Sequence, residues 1–165
     1  MTSDNTGGGV YRLQETGRGN GVRTFNCNEG TSYAASTDFT NNSSVWALGG
    51  VDKYATDAHW GSEMTYDYYL HEHGRNSIDD NGFRLDSYVH YDQNYGNAFW
   101  DGQRMTYGDG SSGNAPFTAL DIAGHEITHG LTTFTANLVY QSESGALNES
   151  FSDIFGVSVE YIARP

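Results

Sequence analysis

The segment His125-Glu126-Ile127-Thr128-His129 constrains this chain more than any other five residues. Residues four apart in an α-helix lie on one face, about one turn apart. If the segment is helical, both imidazoles can reach one metal ion, and Glu126 sits beside that ion without having to ligate it. Neutral imidazole nitrogen suits zinc. The competing reading is two exposed helix histidines flanking a solvated carboxylate. Zinc needs a third protein ligand, and the chain offers one. Gly145-Ala146-Leu147-Asn148-Glu149-Ser150 opens a second helix, and Glu149 follows His129 by 20 positions, enough to turn back and present a carboxylate to the same ion. Two His and one Glu leave a fourth position for water, the pattern of a catalytic rather than a structural zinc. A third histidine by the longer zinc pattern is excluded, because Thr132 and Thr135 stand where that pattern needs Gly and His.

The surrounding spacings predict how the two helices pack. Asp121, His125 and His129 recur at i, i+4 and i+8, while Glu149, Asp153, Gly156 and Glu160 recur at i, i+4, i+7 and i+11. The stripes span roughly 12 and 16 Å, so antiparallel helices would set them face to face. Asp153 then accepts the free N–H of His125 and fixes its tautomer; the alternative is an exposed helix carboxylate. Asp121 would lie near Glu160. Two carboxylates held together need a cation, and oxygen-only ligands suit calcium; the alternative is ordinary solvation of both.

The preceding residues read as β-rich. Val10-Tyr11-Arg12-Leu13 and Val22-Arg23-Thr24-Phe25 are short apolar runs between turns, in a chain with 21 Gly and only 2 Pro. A helix is expected over residues 53–73, with Tyr54, Ala58, Met64, Tyr68 and Leu70 on one face and Gly74 as its stop. Alternation of Phe83, Leu85, Val89 and Tyr91 predicts a strand, and Asn97-Ala98-Phe99-Trp100 and Met105-Thr106-Tyr107 predict two more. Helices are expected over residues 118–134 and 144–162. The fold class is therefore α+β: a β-rich lobe with one helix over residues 1–116, then an antiparallel helix hairpin over residues 117–165.

Composition narrows the partners. The net charge of -13 disfavours sequence-independent nucleic-acid binding, which needs Lys and Arg against phosphate, and disfavours an anionic membrane surface. No apolar run is long enough to cross a bilayer. Cys27, the single cysteine, allows neither an internal disulfide nor a cysteine-based zinc site. His59, His71, His73 and His90 read as surface or hydrogen-bonded core histidines. The polar start lacks a signal-peptide core, so either the protein is cytosolic or an export segment lies upstream; the apolar segment just before Pro165 has no capping turn, which is expected of a cut from a longer chain.

With these residues in place, the chain resembles the thermolysin family of secreted zinc endopeptidases over most of its length. The resemblance is strongest at Asp57-Ala58-His59-Trp60-Gly61, Thr65-Tyr66-Asp67-Tyr68-Tyr69, Val89-His90-Tyr91, Asn97-Ala98-Phe99-Trp100-Asp101-Gly102, and from Asp121 to Glu160. It implies zinc on His125, His129 and Glu149, and Glu126 as the general base that takes a proton from the attacking water and delivers it to the leaving amine. Tyr140 matches a tyrosine that steadies the tetrahedral intermediate. Asn97 and Ala98 match the edge strand that binds substrate backbone by strand addition. Phe117 and Ile122 fall near the pocket for an apolar residue after the cut, and Asp121 and Glu160 match calcium carboxylates.

Two departures stand out. Residues 46–51 lack the acidic loop that makes a further calcium site in the family's namesake. The family's C-terminal helical lobe, which supplies an oxyanion-assisting histidine and more calcium ligands, is expected to be missing from this chain. Taken alone, the chain would then be an incomplete catalyst, weakly active or inactive, whose first partner is that lobe. The reading is a secreted endopeptidase acting on proteins or peptides. Its rivals are a zinc aminopeptidase, which needs an acidic site for a free amine, and a non-catalytic module stabilised by zinc, which has no need of Glu126.

Overall fold

The computed structural model describes residues 3–46, 52–111 and 116–164. Residues 47–51 lie outside that set, so the expected departure at 46–51 is described only at its first residue, Trp46, which is buried. The strands are β1 (Asp4–Asn5), β2 (Tyr11–Arg12), β3 (Gln14–Glu15), β4 (Val22–Asn26), β5 (Thr37–Asp38), β6 (Thr40–Asn41), β7 (Leu85–Val89), β8 (Ala98–Trp100) and β9 (Met105–Tyr107). The helices are α1 (Lys53–His73), α2 (Leu120–Phe134) and α3 (Ser142–Ala163), with a short 3-10 turn at Tyr33–Ala35. This is the expected α+β chain, strands first and the helix hairpin last.

Strands β1, β2 and β6 form a small antiparallel sheet. The larger sheet has the order β3-β4-β7-β9-β8, with β5 also on β4. The β4/β7 and β7/β9 pairs are parallel, and the others are antiparallel. Parallel neighbours require a long crossover, and α1 supplies the one between β4 and β7. Strand β8 is left as an edge, with one side unpaired by any described strand.

Alternation along β4 and β7 turns Val22, Thr24, Leu85, Ser87 and Val89 inward, and Val22, Leu85 and Val89 join Ala55, Ala58, Ala123 and Ile127 of α1 and α2 in the main core. On the opposite face of the sheet Arg23 makes a two-pronged pair with Asp86, at 2.9 and 2.8 Å. Strand β7 is shorter than the alternation of Phe83 to Tyr91 predicts. At one end the Phe83 N–H is taken by the Asp79 side chain, and at the other His90 turns to φ 54, so both flanking residues leave the extended run.

Helix α1 has the expected bounds. The Asp52 carboxylate accepts from the backbone of Tyr54 and Ala55, satisfying two of the free N–H groups at a helix start. Gly74, at φ 63, ends it in the left-handed conformation that suits glycine. Its buried face differs from the expected one. Leu70 is exposed, while His59, Ser62, Glu63 and Thr65 are wholly buried. The helix is packed between the sheet and α2, so its polar residues are covered as well, and they find partners such as Thr24 for His59 and Ser87 for Ser62.

Candidate metal centre

Helix α2 carries the His-Glu-x-x-His segment in its middle. It has no side-chain cap at Ala119, but Asp121 occupies its first turn, where a negative charge complements the helix dipole. Helix α3 runs back along it, so the stripe that begins at Glu149 faces the one that begins at Asp121. His125 Nε2 and His129 Nε2 lie 3.1 Å apart. Glu149 reaches both, with Oε2 3.3 Å from His125 Nε2 and Oε1 3.5 Å from His129 Nε2. One ligand atom from each of these three residues lies within 4.8 Å of the others, and no second such group of three occurs among the described residues.

The far side of each ring determines what the near side can do. His125 Nδ1 lies 2.8 Å from Asp153 Oδ1, and His129 Nδ1 lies 2.7 Å from Asn148 Oδ1. A carboxylate or amide oxygen only accepts, so each Nδ1 must carry the proton. With that proton on Nδ1, each ring can present its Nε2 lone pair to the same point, beside the Glu149 carboxylate. Three electron-rich donors facing one another repel unless a cation sits among them. Two imidazoles and a carboxylate at this separation are a donor set that fits zinc.

Glu126 lies on the same helix with its side chain largely buried, 4.0 Å from His129 Nε2. Burial pushes its carboxyl up to about 7; His125 and the Trp100 backbone N–H oppose this, and Glu149 adds to it. A carboxylate poised near neutrality can both take and return a proton. The Tyr140 hydroxyl donates to Glu149 Oε1, and its ring stands edge-on to His129 at 5.8 Å.

The four residues expected to meet substrate share one recess with the metal motif. Asn97, Ala98, Phe117 and Ile122 line a cavity of ≈ 240 Å³ together with His125 and Glu126. A second recess of ≈ 670 Å³ shares Asn97, Ala98, His125 and Glu126 with it in its lining, and extends to Tyr140 and Glu149. The edge strand β8 therefore borders a cleft whose floor carries the donors. Asp121 opens onto the first recess. Glu160 does not line either recess, and its carboxylate is 3.3 Å from Arg164.

Two supporting residues escaped the sequence reading, Asn148 and Ser152. Both approach His129 Nδ1, Ser152 Oγ at 3.1 Å. The signal was present: each immediately precedes a member of the Glu149/Asp153 stripe, and they are themselves four apart, one rail over on the same helix.

Comparison with known proteins points the same way. The profile of the family described as "Thermolysin metallopeptidase, catalytic domain" matches residues 1–133, and that of "Thermolysin metallopeptidase, alpha-helical domain" matches residues 136–165. The chain is 47% identical over 162 residues to a transglutaminase-activating metalloprotease of Streptomyces mobaraensis, covering 95% of this chain and 21% of that protein. It is 47% identical over 155 residues to bacillolysin of Brevibacillus brevis, covering 93% and 28%. To thermolysin of Alicyclobacillus acidocaldarius it is 44% identical over 158 residues, covering 94% and 29%. The chain thus spans under a third of the length of these relatives. Among solved structures, the precursor of protealysin, a metalloproteinase from Serratia proteamaculans, superposes with a TM-score of 0.76 at 34% identity, covering 86% of this chain and 44% of that one.

Proposed function

The chain belongs to the thermolysin family of metallopeptidases, and on that premise we propose that it carries the zinc-binding and water-activating part of an endopeptidase site. The observation that carries the proposal is the convergence of the His125 and His129 Nε2 atoms on Glu149, with both Nδ1 atoms already committed. His125, His129 and Glu149 would hold the ion, which when bound supplies Lewis acidity that polarises a peptide carbonyl and acidifies water.

The rest of the chemistry belongs to the chain's own residues. Glu126 takes a proton from the attacking water and passes it to the departing amine; its elevated pKa suits both halves of that transfer. Tyr140, whose O–H donates to Glu149 Oε1 here, would redirect it to the carbonyl oxygen as negative charge builds there. Ala98 offers the unpaired edge of β8 to an extended substrate backbone, and Asn97, just before the strand, lines the same cleft. Phe117 and Ile122 make apolar walls beside Glu126, which favours a bulky apolar residue on the amino side of the cut. The same proposal makes the protein an exported one, acting on proteins or peptides. It also makes Asp121 and Glu160 calcium ligands, which the antiparallel run of α2 and α3 supports.

The test is a single substitution in the intact protein. Glu126→Ala should keep zinc and lose cleavage of an internal bond in a peptide blocked at both ends. Undiminished cleavage would sink the mechanism. Release of N-terminal residues alone, from unblocked peptides only, would make the protein an aminopeptidase. Zinc that stabilises the fold while no peptide is cut by the unsubstituted protein would make it a binding module.

A further inference from the structure

Helices α2 and α3 meet at a point where neither has a side chain. A methyl group placed on Gly156 would lie 2.6 Å from the Asp121 carbonyl oxygen, 3.0 Å from the His125 backbone nitrogen and 3.3 Å from His125 Cβ. From the other helix, a methyl on Gly124 would lie 3.0 Å from Gly156 Cα and 3.3 Å from Val159 Cβ. The obstruction at Gly156 is mainly backbone, which cannot swing aside as the tip of a long side chain can. The separation of packed helices depends on the side chains at their contact, and glycine on both sides allows the closest approach.

The donors of the metal centre are divided across this crossing. His125 and His129 belong to α2, whereas Glu149, Asn148 and Asp153 belong to α3. Asp153 is about one turn from Gly156, and Glu149 about two turns away, roughly 10 Å along the axis. Parting the helices at Gly156 would draw Asp153 from the 2.8 Å it keeps to His125 Nδ1. It would also retract Glu149 from both Nε2 atoms. Metal bonds and hydrogen bonds tolerate only tenths of an ångström.

We propose that Gly156, with Gly124 opposite it, is a positioning residue: it sets the α2–α3 separation at which Glu149 and the two histidines close around one ion. This rests on the zinc reading given above. A glycine on the other side of α2 separates positioning from packing in general. A methyl on Gly61 of α1 would lie 2.7 Å from Ala123 Cβ, a comparable collision, but α1 carries none of the donors.

The test uses the full chain, stripped of metal. Zinc affinity is measured by competition with a chelator, the visible spectrum is recorded with cobalt in place of zinc, and the metal-free chain is melted by circular dichroism. Gly156→Ala should bind zinc about 10- to 100-fold more weakly, the range seen when the support of a metal ligand is disturbed, and should show an altered cobalt spectrum. Gly124→Ala, which also meets the movable Val159 side chain, should shift both readouts in the same direction by less. Gly61→Ala should lower the melting temperature while leaving zinc affinity and cobalt spectrum as in the unsubstituted chain. Should Gly156→Ala not fold, Gly124→Ala against Gly61→Ala makes the same comparison. Unchanged affinity and spectrum in the folded α2–α3 variants would overturn the proposal, as would an equal loss in Gly61→Ala. Failure of the unsubstituted chain to bind zinc would instead overturn the zinc reading itself.

Discussion

Two of the places where histidine meets carboxylate in this molecule have opposite results. At His90 both ring nitrogens are taken: Nε2 lies 2.6 Å from Asp52 Oδ2 and Nδ1 2.7 Å from Asp109 Oδ1. Two carboxylates on one ring call for two N–H donors, so the ring is an imidazolium. The hydrogen bond to Asp52 pushes its pKa up to about 9; burial works against this, and Asp109 adds to it. At α2–α3 each ring has one nitrogen committed and one aimed at a common point. The first arrangement is a closed ion triad that ties the end of β7 to the start of α1 and to the loop after β9. The second is an open cradle with surplus lone pairs. Residue types alone do not tell the two apart; what separates them is whether each ring's second nitrogen already has a partner.

The largest expected effect breaks the cradle and spares the triad. His129→Ala removes a direct donor, so its zinc affinity should fall by more than the ~10- to 100-fold expected for losing a supporting partner. His90→Ala should leave zinc affinity unchanged while lowering the stability of the metal-free chain. Chelator competition and denaturant melts on the same two variants measure both. If His129→Ala bound zinc as the unsubstituted chain does, the cradle would not be the metal site.

The triad can be broken by pH alone. Its histidine has a folded-state pKa of about 9, above the ~6.5 of an unfolded histidine. The stabilisation it provides is therefore full below pH ~6.5 and is lost as pH rises through about 9. The side chain is 17% exposed, so solvent screening trims the contribution to the order of 2 kcal/mol. The groups that face the ring are Asp52 and Asp109, with the rings of Phe39 and Tyr54 beside it. Between pH 6 and pH 10 the metal-free chain should lose about that much more unfolding free energy than His90→Gln does. Equal losses in the two would mean that the ring is uncharged in the fold.

The same contrast separates what local spacing in the sequence discloses from what it does not. The helix hairpin was legible because its information is local: i, i+4 spacing puts His125 and His129 on one face, and antiparallel packing puts Asp153 opposite His125, 2.8 Å away. Helix α1 was legible in its extent, residues 53–73, with Gly74 as its stop. Its buried face was not, because a helix covered by a sheet on one side and α2 on another has no simple polar stripe. His59 and Glu63 are buried there with no exposure at all. The sheet order was not legible either. Strands β4, β7 and β9 are parallel neighbours separated by long stretches of chain, and alternation within a strand carries no record of its partner. The His90 triad joins residues 38 and 19 positions apart, so nothing local distinguished His90 from the other upstream histidines.

The smallest expected effect lies inside the cradle, at His129 Nδ1. Two acceptors approach it, Asn148 Oδ1 at 2.7 Å and Ser152 Oγ at 3.1 Å, but one N–H points along one direction. The shorter contact takes it, and the amide oxygen cannot act as a donor, so Asn148 is what fixes the tautomer. Ser152 is buried and its hydroxyl can rotate toward another partner, so its hold on the ring is secondary. Asn148→Ala should then weaken zinc binding about 10- to 100-fold, whereas Ser152→Ala, which removes one atom without freeing the ring, should change it only marginally. The same chelator competition reads both. An equal loss in the two variants would mean that the proton on His129 is shared between the acceptors, and that this ring is held more nearly as His90 is, by two partners at once, than as its neighbour His125 is by one.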